Sequence, residues 1–347
     1  MRICIVGAGA IGGHLAGRLA KAGADLSVLA RGATLAAIRA EGLRVLAADG
    51  EMLARPRVAE HAAELGPQDA VLVCTKVPAL GAVARGIGPL LGPETPVAFV
   101  TNGIPWWYFH AVGGAEEGQR VPEADPDGAV WDLVGPRRAI GGVIYSACHV
   151  PAPGVVEVTS RTSKLILGEP DGARSARAQA LAGLFKAGGL PCSVSADIRT
   201  DVWAKLLNNL SNGPICVLTR RNMRDTFRDA AVRQAAVQVV REGMAIAAAM
   251  GRPVPGAAEE RIDLSANIPH KPSILQDLEA GRPMEVDALF QVVLRLARER
   301  GVPAPMLELL VAMMAQAAEA AGLYSPAEAA GLYAPAEAAG QSPRREG

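Results

Sequence analysis

The chain has 347 residues, half of them apolar, and its 35 acidic and 35 basic side chains cancel to zero net charge. Such a length predicts about two domains, and the balanced charge argues against a nucleic-acid footprint or a cationic membrane surface. Five dispersed cysteines without a C-x-x-C pair, and five histidines without H-x-x-x-H spacing, give no indication of a zinc site or a disulfide framework and point to a reducing cytoplasm.

Residues 2–6 (RICIV) are a short apolar run. Glycines follow it at once, so it reads as a buried strand and not as part of a leader peptide. No later apolar run approaches the roughly 18 residues that would span a bilayer. The turn Gly7-Ala8-Gly9-Ala10-Ile11-Gly12 opens a helix with Leu15 and Leu19 on its apolar face, Gly23 ends that helix, and residues 25–30 form a second strand. G-x-G-x-x-G at the first turn of a βαβ unit lets the backbone approach a pyrophosphate, with the helix N–H groups facing the anion. The alternative is a helix-start turn with no ligand. An NAD site usually has Asp or Glu at the end of the second strand. Here that place holds Ala30-Arg31-Gly32. Arg31 can pair with a 2′-phosphate and no carboxylate repels it, so NADP(H) is expected. A solvated surface arginine is the other reading.

Strands are predicted at 70–74, followed by Thr75-Lys76, and at 97–100, followed by Thr101-Asn102-Gly103. Ligands of an open parallel sheet lie beyond the carboxyl ends of its strands. Lys76 is therefore placed to reach cofactor or substrate, and Asn102 to bond the reacting centre or the nicotinamide ribose. Ordinary turn polarity would also explain both. The run Trp106-Trp107-Tyr108-Phe109 reads either as a lid anchor or pocket wall, or as a hydrophobic cluster under a loop. Residues 113–135, rich in Gly, Pro and acids, are expected to be a disordered loop or a lid. Strands in 139–149 and 154–169 would extend the sheet, and a helix at 173–187 and a strand at 192–194 complete it.

From Asp197 onward strands give way to helical spacing at 201–212, 225–250, 273–279, 284–300 and 306–321. The expected plan is an α/β, Rossmann-type dinucleotide-binding domain over 1–197 and an all-α domain over 198–323. A flexible tail over 324–347 carries the tandem AAGLYSPAE/AAGLYAPAE, too few copies for a solenoid. Lys205, Asn208, Asn209 and Asn212 share one face of an otherwise apolar helix. A stripe of this kind suits a helix facing a cleft and a ligand. Glu285 follows Pro283 at a helix start, near the inward face of Leu289, Val292, Val293 and Leu296. Its expected partner is Lys205 or a substrate hydroxyl, unless it caps the helix facing water. Hydride transfer to a ketone leaves an alkoxide to be protonated. With no convincing His, Lys205 is the available general acid, with Asn102 and Asn209 orienting the substrate and Glu285 holding Lys205.

These pieces together resemble the ketopantoate reductase (2-dehydropantoate 2-reductase) family. The matching stretches are GAGAIG at 7–12, Arg31, TK at 75–76, NG at 102–103, DVWAKLLNN at 201–209 and KPSILQDLEAGRPMEVD at 271–287. They extend from Met1 to about Ala321, and the last two are the specific ones. The resemblance implies NADPH-dependent reduction of 2-dehydropantoate to (R)-pantoate on the way to pantothenate and coenzyme A. It implies Lys205 as general acid, Glu285 as a substrate-binding group, and Asn102, Asn209 and Ser273 as substrate or cofactor positions. It implies Lys76 as a cofactor-side lysine. The sequence departs from the family's pattern at Gly213-Pro214, at 104–109 and in the long segment 113–135. A sister reductase acting on another 2-oxo acid is therefore an alternative, as are a catalytically silent NADP-binding sensor and a dehydrogenase that joins amino and keto acids. The expected partner is a small 2-oxo acid, with a homodimer possible and neither metal, nucleic acid nor membrane involved.

Overall fold

The computed structural model describes residues 1–326. Its first strands are β1 (Arg2–Val6) and β2 (Asp25–Leu29), joined through α1 (Ala10–Lys21). Every residue of β1 after Arg2 is buried, as expected of a central strand covered on both faces. The helix α2 (Gly32–Glu41) leads to a hairpin, β3 (Leu43–Ala47) and β4 (Gly50–Ala54), and then to β5 (Arg57–Ala59). The chain continues through β6 (Ala70–Val73), α3 (Leu80–Gly86), β7 (Val97–Phe99), α4 (Ala129–Leu133) and β8 (Ala139–Tyr145). After β9 (Cys148–Ala152), β10 (Val155–Val158) and β11 (Lys164–Gly168), α5 (Ala176–Ala187) and β12 (Cys192–Val194) close this part of the molecule.

The main sheet has eight strands in the order β12-β11-β8-β7-β6-β1-β2-β5. β5, β2, β1, β6, β7 and β8 are parallel to their neighbours, while β11 runs antiparallel to β8. The order reverses at β1, the topological switch point where open α/β sheets bind ligands.

Two expectations about this region fail. β9 and β10 do not extend the main sheet. They join the hairpin β3–β4 in a separate four-stranded sheet, in which Val155 of β10 pairs with Arg44 of β3. This small sheet covers α1: a Cβ on Gly17 would meet Val45 at 2.7 Å and one on Gly13 would meet Val156 at 2.5 Å. Residues 113–135 are neither disordered nor a lid. Val121, Ala124, Ala129, Val130 and Val134 are buried in the core, and Asp125 accepts from the backbone N–H of Val130 and Trp131. The Arg295–Glu123 ion pair (2.6 Å) ties the segment to the helical part, with both side chains more than four-fifths buried.

The helical part begins with α6 (Ile198–Thr219), followed by α7 (Met223–Thr226), α8 (Ala230–Ala249), α9 (Ala258–Ala266) and α10 (Ser273–Glu279). A π-helical turn at Asp287–Gln291 runs into α11 (Val292–Glu299), and α12 (Pro305–Ala320) ends the element order. Asp197 caps α6 by accepting from the Thr200 N–H and hydroxyl, a contact of about 1 kcal/mol. The helix runs on past residue 212, straight through Pro214, because residues on both sides of it are buried: Trp203, Leu206, Leu207 and Leu210 before it, and Ile215, Cys216 and Val217 after it. Each such residue contributes roughly 1.5–3 kcal/mol of burial, enough to offset the lost hydrogen bond at proline. α9 was not expected from the sequence, and the expected 225–250 helix is two elements.

The sheet seats α6 through a hollow. Gly141 of β8 pairs with Gly168 of β11, and Ile198 fills the space that their side chains would take. Trp107 packs into the same hollow beside Ile198 at Gly141. The aromatics Trp106 to Phe109 are thus core, each at most 2% exposed, and not a pocket wall. Tyr108 accepts at its hydroxyl from Trp203 Nε1 (2.8 Å), and Arg199 donates to the carbonyls of Tyr108, His110 and Pro170. The 104–109 segment therefore fixes α6 to the sheet. Tyr324 donates to Asp287 Oδ1 (2.6 Å) and so begins the expected tail as an anchored residue, while the rest of the repeat, from residue 327, lies outside the described residues.

Candidate active site

The carboxyl edge of the main sheet collects the residues singled out above. Read across β5, β2, β1, β6, β7 and β8, the first residues beyond each strand include Glu60, Arg31, the Gly7–Gly12 turn, Thr75 and Lys76, Asn102, and Ser146. A cleft of about 480 Å³ follows the β5-to-β6 part of this edge, lined by Gly7, Ala8, Gly9, Arg31, Thr34 and Thr75 among others.

The turn fits a pyrophosphate on its own geometry. Gly7 has φ +93°, and a Cβ on Gly12 would sit 1.9 Å from the Gly7 carbonyl oxygen, so both must be glycine for the turn to close. Gly9 differs: a Cβ there would meet no protein atom within 4 Å. Protein packing does not require that glycine, whereas close approach of a phosphate does. α1 starts with no side-chain cap and no acid in its first turn, leaving its N–H groups for an anion. The buried Thr75 hydroxyl is also without a partner among the described residues.

At the β2 side of this cleft, Arg31 precedes α2 and Thr34 sits in its first turn, so one cation and one helix start converge. The expectation that no carboxylate faces this place is not met. Glu60, brought alongside because β5 pairs with β2, lines the same cleft.

At the other end, α6 delivers Lys205 to the sheet edge. Its Nζ donates to Asn102 Oδ1 at 2.7 Å. Burial lowers the Lys205 pKa from its ordinary value to about 8, against the opposing pull of Glu285 and Cys148. Glu285 lies close enough to act on that charge, but it is Asn102 that holds Lys205, contrary to the sequence-based pairing. The Glu285 carboxylate is 8% exposed and accepts from the Val77 N–H at 2.9 Å. Burial raises its pKa, while the Val77 N–H and the nearby lysines lower it.

Lys76 reaches across to the helical part: its Nζ lies 2.5 Å from Asp277 Oδ2 and 3.5 Å from the Pro283 carbonyl. Asp277, 4% exposed and also paired with Arg282, escaped the sequence reading although it lies inside the quoted 271–287 stretch. An acid on the same helix face as Ile274 and next to Leu278 was the available signal.

The amide stripe divides. Asn209 is half-buried, one turn beyond Lys205, and its amide has no hydrogen bond among the described residues, which leaves it for a ligand. Asn212 instead donates to Ser265 Oγ (3.2 Å) inside the helical core, so it does not face the cleft. Ser273 is exposed at the start of α10, with no side-chain contact to Lys205, Asn102 or Glu285 among the described residues. Gly213 packs under Phe290 and Ile274, so this departure from the family pattern is a core feature.

The chain is similar to known proteins over most of its length. Residues 3–172 match the family described as ketopantoate reductase PanE/ApbA, and residues 197–318 match its C-terminal region. A 2-dehydropantoate 2-reductase from Mesorhizobium japonicum is 44% identical over 94% of this chain and 100% of its own length. A solved candidate ketopantoate reductase from Ralstonia solanacearum is 40% identical, with a TM-score of 0.87 over 93% of this chain and 99% of that one. A D-mandelate dehydrogenase solved with NADH and anilino(oxo)acetate shares the fold, with a TM-score of 0.78 at 20% identity over 93% of this chain and 100% of its own.

Proposed function

The chain belongs to the ketopantoate reductase family, and from that premise we propose that it reduces 2-dehydropantoate to (R)-pantoate with NADPH in the cytoplasm, on the route to pantothenate and coenzyme A. The observation that carries the reading is a single contact across the two parts of the molecule. Lys205, from an apolar helix, meets Asn102 at the carboxyl edge of a dinucleotide-binding sheet. Five free cysteines suit a reducing compartment.

Gly7 to Gly12 and the start of α1 bind the pyrophosphate, and Arg31 and Thr34 take the 2′-phosphate. Lys76, held by Asp277, closes the helical part over the cofactor. The nicotinamide, when bound, supplies a hydride to the C2 carbonyl carbon. As that bond forms, the carbonyl π pair moves onto oxygen, and the Lys205 ammonium gives its proton to that oxygen, leaving a neutral amine. Asn102 Oδ1 orients the ammonium beforehand, which removes a rotational cost from the step. Asn209 and Ser273 position the rest of the acid, and Glu285 accepts from a substrate hydroxyl. A pKa of about 8 keeps Lys205 mostly protonated at neutral pH and still a competent donor.

Glu285→Gln keeps an acceptor for the Val77 N–H but removes a negative charge that raises the Lys205 pKa. The pH above which reduction fades is expected to move down. A pH–rate profile unmoved by the substitution would show that Glu285 does not act on the lysine.

Arg31→Ala is expected to weaken NADPH by roughly tenfold or more, the scale of a charge-assisted pair of about 1.5–3 kcal/mol, and to leave NADH nearly unchanged. Equal losses for both cofactors would make Arg31 a general anchor. Glu60 in the same cleft favours a second reading, in which NADH is also accepted and a different 2-oxo acid is the substrate. Steady-state turnover of purified protein with 2-dehydropantoate against a panel of 2-oxo acids, using each cofactor, tests the assignment. Tight NADPH binding without turnover of 2-dehydropantoate would overturn the substrate and keep the dinucleotide site.

A further inference from the structure

Ser146 follows β8 directly, at the same sheet edge as Asn102, and two hydrogen-bond chains converge on its Oγ. In the first, Asp49 grips Arg18 with paired bonds of 2.6 and 2.8 Å, and Arg18 Nε donates to His14 Nε2 at 3.2 Å. Arginine can only donate, so Nε2 is an acceptor. His14 is fully buried, and burial together with the Arg18 charge lowers its pKa to about 4, so the ring is neutral. Its one proton therefore sits on Nδ1 and is donated to Ser146 Oγ at 3.1 Å.

In the second chain, the Ala147 N–H donates to Ser160 Oγ (3.1 Å), and the Ser163 hydroxyl donates to Ser146 Oγ (3.1 Å). With its own proton spent, Ser163 must accept from Ser160 at 3.0 Å. A hydroxyl has two acceptor sites and one proton. Both acceptor sites of Ser146 are filled, and its proton is left for a third partner. Ser146 also bonds the thiol of Cys148. Burial raises this thiol to about 11, while the Ser146 bond and the Lys205 charge pull it down, so Lys205 is near enough for its charge to act there. A thiol sulfur is a weak acceptor, so a carbonyl oxygen would displace it.

We propose that Ser146 is an obligate donor to the carboxamide oxygen of the nicotinamide, and that Asp49, Arg18 and His14 hold it in that role as positioning residues. The inference rests on the dinucleotide reading above. The nicotinamide must lie between the phosphate cradle at the start of α1 and the Lys205–Asn102 pair. His14 stands two residues beyond Gly12 on α1, so the relay hangs from the cofactor's own helix. The substrate-side groups Lys205, Asn209 and Glu285 hang from the helical part. One hydrogen bond thus links the cradle to the orientation of the transferring ring.

Calorimetric binding of NADPH and of 2′,5′-ADP, which lacks the nicotinamide, tests this on the full-length protein. Ser146→Ala should weaken NADPH about fivefold to tenfold, the scale of one lost hydrogen bond, with 2′,5′-ADP unchanged and NADPH affinity restored in Ser146→Thr. His14→Leu should weaken NADPH in the same selective sense, because the relay then lacks its donor. Parallel losses for both ligands would reduce the relay to structural support of α1 and overturn the proposal. So would unchanged NADPH affinity with a raised KM for the oxo acid, since the carbonyl would then be the substrate's. A wild-type protein that binds neither ligand would overturn the dinucleotide reading itself.

Discussion

Lys205→Ala is expected to lower kcat for oxo-acid reduction by about a hundredfold to ten-thousandfold, the usual span for a lost general acid, while NADPH affinity is kept. The two effects separate because Lys205 belongs to α6, whereas the phosphate cradle belongs to β1 and α1. Lys205→Arg should be nearly as inactive. Guanidinium keeps the charge beside Asn102 but cannot give up a proton in this pH range, so the pair of variants separates charge from proton donation. The wild-type pH dependence has a definite sign. Burial depresses Lys205 to about 8, so the ammonium needed for reduction is present below that pH and is lost above it. kcat/KM for reduction should fall as pH rises through about 8, and the reverse oxidation, which needs the neutral amine, should rise over the same interval. Pre-steady-state transfer rates across that range would measure both. A flat profile in each direction, or an active Lys205→Arg, would remove the lysine from the proton step.

Gly103→Ala is the second large effect, and it follows from packing alone. Gly103 has φ +85°, where an L side chain costs roughly 1–2 kcal/mol. The added Cβ would also stand 2.0 Å from the Ala288 carbonyl oxygen and 2.9 Å from its carbon, both backbone atoms. Nothing there is the flexible end of a side chain, so the π-helical turn at Asp287–Gln291 must retreat. A loss of about 3 kcal/mol or more of stability is expected, with a melting temperature lower by several degrees. Retreat of that turn also carries Glu285 away from Val77 and drags Asn102 from Lys205. Activity should then fall further than the folded fraction does. Thermal melts and kcat/KM on the same preparation measure both, and an active variant of unchanged melting temperature would show that the two parts are not packed through this glycine.

The parts of the site legible in the sequence are those where spacing is itself the geometry. G-x-G-x-x-G between two strands is a tight turn that fits a phosphate, because the turn needs glycine at 7 and 12. Arg31 and Asn102 follow from their strands for the same local reason, and Lys205 and Asn209 from helical periodicity. The change from alternating strands to unbroken helix was equally plain, because the two patterns have different periods.

Where two distant segments meet, local patterns carry no information, and the tertiary structure alone decided. The small sheet pairs β10 with β3, more than a hundred residues apart in the chain, so no run of residues announced it. The 113–135 segment looked like solvent-facing chain because its apolar residues are sparse. They bury themselves against a core that the rest of the protein provides. Glu60 reaches the cleft beside Arg31 only through pairing of β5 with β2, and Asp277 meets Lys76 only because the two parts pack together. Lys205 shows both limits. Helical periodicity placed it on a polar stripe, but its choice of Asn102 over Glu285, and a pKa near 8, depend on the surfaces that remove water around it. A hydrogen-bond partner and a desolvation cost are properties of a closed interface, and the sequence by itself determined only which residues were available to form one.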